Sequence, residues 1–200
     1  MQLSAEIRLF WFDKKPEALE RWFLDQVVHP CAPGGGKQRK DVYLRDASQI
    51  ELGIKTRGEK PGVEVKGLVA TLGDALEFNS CQIAIELWSK WTSLARSFAK
   101  PVGCANSTPP GAKPVEIALD SSEQPVGGAP LPEKGCNFEW TIVETSSNET
   151  CWTLGFEAFG GWHDIEDSLR SVVHTTQDRN PPKSPNAKAA SYPAWLAKRY

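Results

Sequence analysis

Two short stretches carry charges of both signs at the alternating spacing of a strand. In "ELGIKTR" (51–57) Glu51, Lys55 and Arg57 share one phase of an alternating strand, and Leu52, Ile54 and Thr56 take the other. In "VEVKG" (63–67) Glu64 and Lys66 oppose Val63 and Val65. Successive side chains of a strand point to opposite faces, so each stretch puts its charges on a single side. The intervening "GEKPG" (58–62) has the glycines and proline of a hairpin loop. Two uses of such a hairpin are open. One is a solvated outer face; the other is a charged wall belonging to a binding site. Other chemistries are poorly represented. The three His and five widely spaced Cys contain no CxxC pair and make no zinc set, which predicts reduced thiols and a cytoplasmic location. "GGGK" (34–37) lacks the first Gly and the Ser/Thr of a phosphate-cradling loop. His163-Asp164 has no second ligand pair of its kind.

The elements that must position these charges are mostly strands. "SAEIRLFWF" (4–12) alternates, with Glu6, Arg8 and Phe10 against Ile7, Leu9 and Trp11. "DVYLRD" (41–46), "CQIAIELWSKW" (81–91) and "PVEIALD" (114–120) read as further strands. "CNFEWTIVE" and "CWTLGFEAF" flank "TSSNET" as a second hairpin. Leu19, Trp22, Phe23 and Val27 recur with helical spacing behind Pro16, as do Ile165, Leu169, Val172 and Val173 behind Asp164, a predicted cap. Residues 95–113 and 121–135 are rich in Pro, Gly and Ser and read as loops. Residues 180–200 read as an irregular tail ending in a short helix that bears Trp195 and Leu196.

About eight strands joined largely by turns predict an α+β, mainly β fold: an antiparallel, closed or nearly closed barrel with flanking helices outside, in a single domain over 1–200. A net charge of −2 and a pI near 6.0 give no bulk field for nucleic acid. The sequence has neither an apolar run of membrane-spanning length nor a signal-peptide layout, so no membrane partner is predicted. In a helix-covered barrel the charged faces must point into the lumen, where charges need partners or a ligand.

"DVYLRD", "LGIKTR" and "VEVKG", in that order, resemble the CYTH superfamily, the triphosphate tunnel metalloenzymes. Ile54-Lys55-Thr56-Arg57 is similar to the family's basic LRIR-like strand and Val63-Glu64-Val65-Lys66 to its LTLK-like strand. Asp41 and Tyr43 match the aspartate–aromatic strand; Phe138-Glu139-Trp140-Thr141 and Gly155-Phe156-Glu157 match its acidic closing strands. The resemblance implies an eight-stranded tunnel whose basic side chains hold a triphosphate, polyphosphate or nucleotide. It also implies Mg²⁺ or Mn²⁺ on carboxylates, with phosphoric-anhydride hydrolysis as the activity. Carried onto this chain, the anion ligands are Lys55, Arg57 and Lys66, and the metal ligands Glu6, Glu139 and Glu157, for the last two of which pairing with neighbouring basic strands is the other role. Arg8 and Lys90 share tunnel-facing phases and serve either as anion ligands or in ion pairs with Glu6 or Glu86; Glu64 and Glu86 stand second.

The N-terminal ExExK pattern departs here. Glu6 keeps the first Glu, Arg8 replaces the second, and Phe10 replaces the Lys. One carboxylate and one ammonium are lost, and a cation appears two residues from Glu6. Three readings stay open: a metal-dependent triphosphatase, a non-catalytic phosphate- or nucleotide-binding tunnel, and a structural barrel whose lumen is filled by salt bridges.

Overall fold

The computed structural model describes residues 2–27, 41–44, 48–57, 62–93, 115–120, 133–144 and 150–198. Alternation makes β1 (Gln2–Trp11), and the apolar repeat after Pro16 makes α1 (Glu17–Val27). Then follow β2 (Asp41–Leu44), β3 (Leu52–Arg57), β4 (Val63–Phe78), β5 (Cys81–Ser93), β6 (Val115–Asp120), β7 (Gly135–Glu144) and β8 (Thr150–Phe159). The chain continues through α2 (Ile165–Asp178), the two-residue β9 (Lys188–Ala189) and α3 (Tyr192–Lys198).

The strands pair antiparallel in the order β2-β3-β4-β5-β1-β8-β7-β6, with β9 added to β1. The sheet curls strongly into a half-barrel, mainly β as the sequence predicts. Its convex face carries the main core. Ala5, Ile7, Leu9 and Trp11 of β1 join the matching phases of β5, β7 and β8 under Leu19 and Phe23 of α1 and Ile165, Leu169, Val172 and Val173 of α2. Burying each such large apolar side chain stabilises the fold by about 1.5–3 kcal/mol, so this face fixes which residues are left to the concave side.

Three features differ from the sequence reading or extend it. β4 runs on through "LVATLGDALEF", which had no assigned element, and pairs with β5 across register shifts at Leu68/Ala70 and Thr71/Ala75. Such shifts bend and twist a strand, which suits a curling sheet. Asn79 and Ser80 turn this hairpin at φ 53° and 65°, a left-handed pair of the kind tight hairpins require. Asp164 does occupy the cap position of α2, but its side chain makes no capping hydrogen bond and lies 3.5 Å from Lys134 Nζ instead. The hairpin turn at 58–61, the side chain of Arg57 and nearly all of the two expected loops lie outside the described residues.

Candidate functional site

The strand register stacks the charged positions of the concave face in rungs. Glu157 of β8, Glu6 of β1 and Glu86 of β5 are direct cross-strand partners, and so are Lys66 of β4 and Lys90 of β5. The next rung holds Glu139, Gly155 and Arg8. Lys55 pairs with Glu64 on one side and Tyr43 on the other. The phase read from each strand is thus the phase that faces inward. The tertiary curl brings together Arg8, Lys55, Lys66, Glu6, Glu139 and Glu157 around one cavity of about 130 Å³, and Lys90 lies against its lining residues Glu64 and Glu157. Arg57 contributes its backbone opposite Asp41.

Every one of these cations already has an acidic partner. Arg8 Nη2 donates to Glu139, and its Nη1 reaches Thr153 Oγ1 at 3.1 Å and the Tyr192 hydroxyl at 3.2 Å. The guanidinium lies over the Tyr192 ring, 4.3 Å from its centroid, a cation–π contact. Gly155 makes room for it, since a Cβ there would stand 2.6 Å from Arg8 Cζ. Lys55 Nζ lies 2.9 Å from Asp41 and 3.3 Å from Glu64. Lys66 bridges Glu6 and, at 3.2 Å, Glu157. Lys90 sits 3.7 Å from Glu64 and 3.8 Å from Glu157. Glu86 is different: Trp88 Nε1 donates to it at 3.1 Å, and no Lys or Arg among the described residues pairs with it.

Burial and these neighbours set the protonation pattern. For Arg8 and Lys66 burial disfavours the charge, but Glu139 beside Arg8, and Glu157 and Glu6 beside Lys66, more than restore it; both pKa values rise. Glu157 is desolvated too, yet Lys66, Lys90 and Lys55 together pull its pKa well below the usual carboxylate range. Glu6 shares Lys66 and faces Glu157, so burial prevails and its pKa is raised. Burial likewise raises Glu86. Glu157 therefore stays ionised, and Glu6 is the first of that pair to take a proton.

This donor set does not fit a resident Mg²⁺ or Mn²⁺. Glu6 and Glu157 converge on the Lys66 ammonium, and Glu139 is engaged by Arg8. A hard divalent cation needs several carboxylate oxygens turned toward one point, and no group of three or more His, Cys, Asp or Glu among the described residues is so arranged. In the structure Glu6, Glu139 and Glu157 take the other role the sequence left open to them, ion pairing with the basic side chains of neighbouring strands.

Several lining residues fell outside the sequence-derived site. Thr141 lines the cavity in phase with Glu139, and Thr153, in phase with Glu157, meets Arg8 on the same face, a parity that could have found both. Tyr192 and Pro193 come from the expected tail. Its signal was "SYPAW", in which the Ser191 hydroxyl accepts the Ala194 N–H at 3.4 Å at the start of α3. Among the described residues no helix is long and apolar enough to cross a membrane. The chain matches no family model and no curated protein.

Proposed function

We propose that the concave cavity binds a small phosphorylated anion, such as triphosphate or the phosphate chain of a nucleotide, without a divalent metal. The observation that carries this reading is the convergence of Arg8, Lys55 and Lys66 from three strands on one cavity, with Lys90 paired to its lining residues Glu64 and Glu157. A cavity of about 130 Å³ has room for about four waters at liquid density, comparable to a single phosphoryl group of such a chain. On this reading the similarity of the strand motifs to the CYTH superfamily reflects a shared anion-binding lumen, with the metal position taken over by Lys66 and Arg8. Glu64 and Glu157 hold the lysines in place, and an incoming phosphoryl oxygen exchanges with them.

Calorimetry with inorganic triphosphate, in chelator and then in Mg²⁺, tests the proposal. Binding should persist in chelator. A Lys66→Gln/Lys90→Gln variant should bind more than about tenfold more weakly, since each charge-assisted hydrogen bond contributes about 1.5–3 kcal/mol. The second reading, a structural lumen, rests on the carboxylate beside each cation. It prevails if neither triphosphate nor nucleoside triphosphate binds. Phosphate release that depends on low concentrations of metal would overturn the metal-free reading.

A further inference from the structure

The cavity holds more carboxylates than cations. Among the described residues six carboxylates line it, while its three lining cations and the adjacent Lys90 make four. Five of the six pair with Arg8 or a lysine, and Glu86 does not. Its carboxylate instead accepts from Trp88 Nε1 at 3.1 Å and from the Ser191 hydroxyl. These two donors orient the group and occupy two of the roughly four acceptor positions on its oxygens. The remaining positions are left to whatever enters the cavity.

The ladder sharpens this imbalance. Glu86 stands directly across from Glu6, in a row that continues through Glu6 to Glu157. Like charges opposite one another on a sheet repel. Lys66 bridges Glu6 and Glu157, but no described Lys or Arg bridges Glu6 and Glu86. A half-enclosed carboxylate without a counter-charge is costly. A second group also lacks a partner: the Thr141 hydroxyl lines the cavity from β7, 1% exposed, with no hydrogen bond among the described residues. A buried polar atom of this kind has a use for a ligand that can bond it.

We propose that the cavity takes a phosphorylated primary amine, with the phosphoryl group at Lys66 and the ammonium between Glu86 and Glu6. The inference rests on the anion-binding reading and specifies its ligand class. A purely anionic ligand matches the cations and leaves the excess of carboxylate unmatched, whereas a zwitterion meets both. A primary ammonium carries three N–H donors, enough to reach Glu86 and Glu6 together. Lys66 already touches Glu6, and facing side chains on neighbouring strands stand about 5 Å apart. The two charges of the ligand therefore lie one strand spacing from each other, a span that a two-carbon spacer covers.

The test compares O-phosphoethanolamine with n-propyl phosphate, which has a methyl group in place of the ammonium, by phosphorus NMR titration of the full chain at neutral pH. The natural protein should bind phosphoethanolamine more tightly by at least about tenfold, the equivalent of one contact to a charged group. Glu86→Gln keeps an acceptor for Trp88 but removes the charge. It should cut the preference to about threefold or less, with the affinity for propyl phosphate unchanged. Phosphocholine tests the same point without a variant, should Glu86→Gln not fold. Its methyl groups replace the N–H donors, so it should bind no better than propyl phosphate. Equal affinity for phosphoethanolamine and propyl phosphate overturns the ammonium site while leaving the anion pocket intact. So does binding of neither ester by a protein that binds inorganic triphosphate, an undiminished preference in folded Glu86→Gln, or phosphocholine bound as tightly as phosphoethanolamine. If triphosphate and both esters all fail to bind, the pocket reading falls, and the ammonium site with it.

Discussion

At the scale of residues, the site is a lattice in which no described basic side chain stands alone. Arg8 and Glu139 show the consequence most directly, since their side chains are only 8% and 6% exposed. Removing one partner strands a buried charge, which costs about 3–5 kcal/mol, whereas removing both is often close to neutral. Arg8→Met should therefore lower stability by about 3 kcal/mol or more. Adding Glu139→Gln should restore much of it, as a double-mutant cycle in urea would show. Equal and additive losses would mean that the two side chains are not coupled in solution. The same pair accounts for Gly155, because a methyl group there would displace the guanidinium from its carboxylate.

At the scale of elements, α3 and β1 explain the departure at Phe10. In the pattern this chain resembles, a lysine stands there. Here the position is fully buried against Trp195 and Tyr192. Phe10→Lys would place an ammonium in an apolar cluster without an acidic partner, a cost of several kcal/mol for an unpaired buried charge. Thermal denaturation should show a large loss, relieved on raising the pH as the lysine becomes neutral. The pH-dependent relief separates buried charge from mere loss of aromatic packing. A melting temperature close to that of the natural chain would show that α3 does not cover this position.

At the scale of the whole molecule, protons link the lattice to stability. Glu157 has a pKa depressed by Lys66, Lys90 and Lys55 despite burial, from an ordinary value near 4.5. Its contribution is complete above that value and is lost as pH falls through the lowered one. Glu6 moves the opposite way: its raised pKa opposes folding above the ordinary value and stops doing so once it is protonated in both states. Denaturant titrations across pH should thus find Glu157→Gln destabilised by about 3 kcal/mol near neutrality, with the difference fading in acid. Glu6→Gln should be unchanged or more stable near neutrality, and this gain should also fade in acid. Similar pH profiles for the two variants would contradict the asymmetry that places three lysines near Glu157 and one against Glu6.

Much of this was legible in the chain because strand geometry is local. A period of two assigns Glu6 with Arg8, Lys55 away from Ile54, and Glu64 with Lys66 to single faces, whatever the rest of the molecule does. The apolar repeats of α1 and α2 likewise determined which face of the sheet those helices would cover. Pairing is not local, and there the sequence left the alternatives open. Whether Glu139 meets a metal or Arg8 depends on a register between strands more than a hundred residues apart. Whether Lys66 is free or held between Glu6 and Glu157 depends on the curl of the sheet. The continuation of β4 was hidden because bulges interrupt the alternation that marks a strand. The role of "SYPAWLAK" was hidden because a seven-residue helix owes its stability to what it packs on, and Phe10, Tyr43 and Gly53 come together beneath it only in the folded sheet.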